Sequence, residues 1–113
     1  MSEFLFLYRN TIDAPRPSVQ ENQRRMQAWM SWLKELGDKG HIKNTGQPLD
    51  TTGKVVRDRG KSITDGPFAE AKDIVLGYTV VEARDLAEAA ELSKGCPILQ
   101  GDGIVEVRPV MSM

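Results

Sequence analysis

The sequence predicts an α+β fold in which two helices cover one face of an antiparallel sheet. Three observations carry that reading. Apolar residues alternate or run continuously over short stretches near both ends and in residues 73–82, as strands require. Apolar positions recur at helical spacing in two intervening stretches, and glycine-rich polar segments punctuate the rest.

Residues 3–9 (Glu-Phe-Leu-Phe-Leu-Tyr-Arg) read as the first strand. Phe4, Phe6 and Tyr8 point one way and Leu5 and Leu7 the other, so both faces of this strand need cover. Residues 10–17 form a loop with two prolines. Ser18-Val19-Gln20-Glu21 fits a capping box, in which the serine accepts from an early helix N–H and the glutamate reaches back. Met26, Trp29, Met30, Leu33 and Leu36 follow as one helical face, and Gly37 and Gly40 offer places to stop. Residues 41–50 and 53–59 look like a weak, half-exposed hairpin around Gly46, Pro48 and Gly53. Residues 73–82 are apolar on both faces and suit a central strand. A second helix runs from an Asp85 cap to Gly95 on small residues, Ala89 and Ala90 among them. The last strand alternates, with Val105 and Val107 towards the helices and Glu106 and Arg108 on the other face. This β-α-β-β-α-β order with an elaborated middle hairpin is ferredoxin-like. Its second sheet face carries apolar residues that the helices leave bare, which predicts a homodimer with two sheets face to face.

Composition narrows the function. The 113 residues suffice for one domain, 1–113, and 40% hydrophobic with 27% charged residues is a globular composition. Fifteen basic against sixteen acidic residues give a net charge of −1 without a basic stripe, so no nucleic-acid partner is expected. No apolar run approaches the roughly 20 residues of a membrane span, and no signal peptide is visible. A lone cysteine, Cys96, suits a reducing cytoplasm. One histidine and scattered acids give no metal site, and phosphate-binding glycine motifs are absent, so no cofactor is expected.

The densest run is Thr64-Asp65-Gly66-Pro67-Phe68-Ala69-Glu70-Ala71-Lys72. Glycine and proline fix its backbone and hold the Asp65 carboxylate in a definite place. Asp65 either caps a helical turn over residues 67–72 or serves as a general base at a pocket. His41, just past the first helix, either complements the helix dipole or carries a proton. Arg9 and Arg108, on the first and last strands, either pair with Glu106 or bind an anionic ligand. Tyr8 and Tyr78 either pack in the core or bring polar tips to the pocket wall. Cys96 follows a helix C-terminus, where a thiolate is disfavoured, and reads as buried structure.

Thr64–Glu70 together with Gly77-Tyr78, Gly95-Cys96-Pro97 and Val105-Glu106-Val107-Arg108-Pro109 resembles the DGPF branch of the YCII-related family, in order and over nearly the whole chain. The resemblance implies a ferredoxin-like, dimeric α/β-barrel. It implies in some members a hydrolytic activity based on a His/Asp pair, which would assign catalysis to Asp65. In those enzymes the histidine lies near the chain start, whereas here the first strand ends Leu7-Tyr8-Arg9-Asn10 and holds none. For the branch it also implies an alternative: a non-enzymatic regulatory or binding module beside an extracytoplasmic-function sigma factor. The leading expectation is a pocket lined by Asp65, Arg9, Tyr8, Tyr78, Arg108 and His41 that takes a small organic acid.

Overall fold

Long aromatic and apolar side chains on the first strand meet two tryptophans one helical turn apart, and the layers assemble around that contact. The computed structural model describes residues 1–69 and 72–112. Its elements are β1 (Ser2–Thr11), α1 (Val19–Asp38), β2 (Ile42–Asn44), β3 (Gly53–Arg57), β4 (Ser62–Gly66), β5 (Asp73–Ala83), α2 (Leu86–Ser93) and β6 (Ile104–Pro109). Four strands form one antiparallel sheet in the order β2-β5-β1-β6. With β3 and β4 set aside as an insertion, this is the ferredoxin-like order that the sequence predicts.

Register fixes the faces. Phe4, Phe6 and Tyr8 of β1 stand opposite Val81, Thr79 and Gly77 of β5 and opposite Pro109, Val107 and Val105 of β6. Phe6 and Val81 are fully buried under the helices, beside Trp32 and Leu36 of α1 and Ala89 of α2. The Phe6 and Trp32 rings stack at 6.2 Å, and Tyr8 meets Trp29 edge-on at 4.6 Å. The intervening residues Leu5, Leu7, Tyr78, Val80, Glu106 and Arg108 share the opposite face. The shortest principal extent is 19 Å, the depth of one sheet and one helix layer. No described helix or strand of the protomer lies over that second face.

The helices end as their residues dictate. The Ser18 hydroxyl accepts from the Glu21 N–H at 3.1 Å, but Glu21 turns to Arg24 and Arg25 rather than back to the cap. Only half of the expected capping box forms. At the other end His41 N–H donates to the Leu36 carbonyl and Gly40 N–H to Gly37, with Gly40 at φ +80°, which is a Schellman stop. The buried stripe of α1 is centred on Trp32 and Leu36, so Met26 and Met30, expected on the apolar face, are exposed. The two tryptophans, being larger, take the sheet-facing positions.

The middle of the chain departs from expectation. Residues 41–50 and 53–59 do not pair with each other. β2 pairs with β5, and the chain continues along that edge through a Pro48–Gly77 bridge and a Leu49 N–H bond to the Leu76 carbonyl at 2.8 Å. β3 pairs instead with β4, which contains Asp65. Their turn carries Asp58, Arg59 and Gly60 at positive φ, whose twist suits a tight hairpin. Residues 67–69 are irregular, and the rest of the expected helical turn includes Glu70 and Ala71, which lie outside the described residues. Gly46 sits where the chain joins the β5 edge, at φ +73°, and a Cβ there would lie 1.7 Å from the Tyr78 carbonyl oxygen.

Two glycines at positive φ therefore differ in cost. Gly40→Ala meets open space and should lose only about 1 kcal/mol for its backbone angle. Gly46→Ala must also displace the β5 backbone, so its melting temperature should fall much further. Equal losses in thermal denaturation would contradict the edge assignment.

Candidate functional site

At one end of the sheet β1 finishes, β5 starts and β6 starts, and their polar residues converge. Arg9 of β1 is the centre, with a side chain 22% exposed. Its Nε donates to Asp73 Oδ2 of β5 at 3.3 Å, and its Nη1 donates to Glu106 Oε1 of β6 at 3.4 Å. Glu106 also pairs through Oε2 with Arg108 Nη1 at 3.5 Å. A cavity of about 220 Å³ opens beside this cluster, lined by Arg9, Asn10, Thr11, Asp73, Asp102 and Ile104. The two contacts of Arg9 are long and each uses a single donor, unlike the bidentate fork that holds a carboxylate tightly. Among the described residues Arg9 makes no further side-chain hydrogen bond, and it lines the cavity.

The register explains this convergence. Thr11 faces Asp73, and Arg9 faces both Val75 and Ile104. A β-bulge between Tyr8 and Arg9 shifts the pairing there and marks the point where the side-chain pattern of β1 changes partners. The Gly101-Asp102-Gly103 turn delivers Asp102 to the cavity just before β6 begins.

The other expected site residues are dispersed. Tyr8 lies on the helix-covered face, its hydroxyl donating to Thr79 Oγ1 at 2.7 Å, while Thr79 donates to the Thr45 carbonyl at 3.0 Å. Burial pushes the Tyr8 phenol well above its ordinary value. Tyr78 is on the bare face opposite Leu7, next to Glu106 across β1. His41 Nδ1 lies 2.8 Å from the Glu82 carbonyl, so that nitrogen carries the proton and donates along the β2–β5 edge. Asp65 pairs with Lys54 across the β3–β4 hairpin, and its side chain is 89% exposed. Arg9 and Arg108 therefore meet at Glu106 and Tyr78 stands near them, while Tyr8, His41 and Asp65 are elsewhere in the protomer. Asn10, Asp73 and Asp102 were missed by sequence reasoning, because only the strand order reveals that the end of β1 and the starts of β5 and β6 coincide. Cys96 is 2% exposed, and burial pushes its thiol up to about 12. Among the described residues no three His, Cys, Asp or Glu side chains cluster as metal ligands, and no described helix is long and apolar enough to cross a membrane.

A family model for the YCII-related domain matches residues 7–113. The chain belongs to the YCII-related family. No curated protein matches it. Among solved structures, this YCII-related chain is similar to 5-chloro-2-hydroxyhydroquinone dehydrochlorinase (TftG) from Burkholderia phenoliruptrix AC1100 in complex with 2,5-dihydroxybenzoquinone. The two are 22% identical with a TM-score of 0.49, over 92% of this chain and 90% of that one.

Two measurements follow from these placements. Tyr8 and Cys96 are held neutral in the fold, with pKa values raised from 10.0 and 9.0. A raised folded pKa gives stability that is complete below the unfolded value and is lost as pH climbs towards the folded one. The denaturant midpoint should therefore fall between pH 9 and pH 11, and fall less in Tyr8→Phe/Cys96→Ala. Separately, Asp65→Ala removes one exposed ion pair, so thermal unfolding at fixed protein concentration should show a loss below about 1 kcal/mol.

Proposed function

We propose that this YCII-related protein is a homodimer that binds a small hydroxylated organic acid at the Arg9 cavity. The observation that carries the reading is Arg9 itself, a half-buried guanidinium loosely held between Asp73 and Glu106 at the edge of a cavity of about 220 Å³. An incoming carboxylate would take the place of Glu106 on Arg9, leaving Glu106 to Arg108, with which it already pairs. The exchange swaps one charge-assisted contact for another and leaves no charge unpaired. Asp73, Asp102, Asn10 and Thr11 then face the remainder of the ligand and favour hydroxyl groups, which donate to carboxylates.

The dimer reading rests on the second sheet face. Leu5, Leu7, Tyr78 and Val80 form an apolar band there, with Arg9 and Arg108 at its margin. A second copy laid across that band would shield the cavity from water and strengthen its polar contacts. Hydrolysis with Asp65 as base would need that carboxylate brought to the cavity from the hairpin where it now stands.

Saturation-transfer NMR with salicylate and gluconate, one aromatic and one aliphatic hydroxy acid, tests the site. Arg9→Met should weaken binding of either by about tenfold or more. Glu106→Gln, which weakens the internal competitor, should tighten it. Binding that ignores both substitutions, or no binding of either acid, would defeat the proposal.

A further inference from the structure

The β3–β4 hairpin forms a two-stranded sheet of its own, apart from the main sheet. Its strands contact each other and their turn closely and the main sheet hardly at all. The radius of gyration, 15.5 Å, exceeds the roughly 13 Å expected for a compact chain of this length, as a protruding arm would cause. Lys54 and Asp65 pair on one face of the arm, beside the cross-strand pair Val56 and Ile63, which are 60% and 65% exposed. A lone two-stranded hairpin is marginally stable in water, and this one presents an apolar pair to solvent. It is built to be covered.

Charge favours a second copy of this chain. Residues 53–66 carry four cations, Lys54, Arg57, Arg59 and Lys61, against two acids, so the arm stands at +2 and the rest of the chain at −3. Three of those cations lie within residues 57–61, at the tip. The Arg9 cavity is the acidic counterpart, with the three carboxylates Asp73, Asp102 and Glu106 against two arginines, Arg9 and the Arg108 that pairs with Glu106. The arm leaves the sheet beside Leu76 and the chain returns at Lys72, which accepts from the Ile12 N–H at 2.7 Å. Its root is thus at the same end of the sheet as the Arg9 cavity.

We infer that each arm reaches across the dimer and sets its cationic tip, Arg57 to Lys61, at the mouth of the partner copy's Arg9 cavity. This inference rests on the dimeric reading above and explains how an anion is accepted there. Within one protomer the cavity has more carboxylates than cations around it, and the arm from the second copy reverses that balance. The site is complete only between two chains.

The test is an oxidative cross-link between copies. Full-length Arg59→Cys and Asp102→Cys proteins, distinguished by tag length and with Cys96 buried in both, are mixed under native conditions and oxidised with copper phenanthroline. The expected result is a mixed covalent dimer in high yield, little dimer from either variant alone, and no mixed dimer at 1 M NaCl if salt is added before mixing. A parallel sample of wild-type protein is sedimented. Wild-type dimers without the mixed cross-link would overturn the arm's placement while leaving the paired sheets intact. Efficient cross-linking of Arg59→Cys with itself would place the two arms against each other and overturn it as well. Wild-type monomers would remove both the arm's placement and the dimer.

Discussion

The packing of Phe6 and Tyr8 against Trp29 and Trp32 governs the rest of the molecule. Four aromatic rings, with centroids 4.6 to 6.3 Å apart, join the central strand to the long helix. Burying rings of this size is the largest single source of stabilisation available to a small domain. Because all of them sit on one side of β1, the helices collect on that side. The alternate residues, Leu5 and Leu7, are then left on a face with no helix to cover it. One strand pattern therefore decides both where the core is and which surface stays open.

The same register places the polar cluster. Past the bulge at Tyr8 and Arg9 the strand no longer continues the aromatic series, and Arg9 emerges among Asp73, Glu106 and the Asp102 turn. A guanidinium keeps its charge at any accessible pH, which suits the proposed recognition of an anion. Tyr8 and Cys96 behave oppositely. Both are buried in neutral form, and their raised pKa values take them out of any chemistry near neutral pH. His41 is committed to the β2–β5 edge, and Asp65 stands in the open on the hairpin.

Much of the architecture was legible in the sequence because it depends on local periodicity. The alternation in residues 3–9 gave the two faces of β1, Ser18 and Gly40 gave the ends of α1, and Glu106 and Arg108 were assigned to the bare face on which they lie. The hairpin was misread for a physical reason. The Asp-Gly-Pro run carries strong turn residues, and these obscured the pairing of Val55 and Val56 with Thr64 and Ile63, which makes a strand of residues 62–66. Met26 and Met30 satisfied helical spacing as well as Trp32 did, and only the sheet's position chose between them. The site was half legible. The proximity of Arg9, Arg108 and Glu106 follows from strand order, whereas Asp73 and Asp102 join them through register, which no local pattern encodes.

The proposed dimer requires that one face of the sheet seat a second copy of the chain. Sedimentation velocity on wild type and Val80→Arg tests it most directly, since Val80 is in the middle of that face, opposite Leu5, and outside the helix-packed core. Wild type should sediment as a dimer and Val80→Arg as a monomer with unchanged far-ultraviolet circular dichroism. A Val80→Arg protein that still sediments as a dimer, or a wild-type protein that is monomeric at high micromolar concentration, would contradict it.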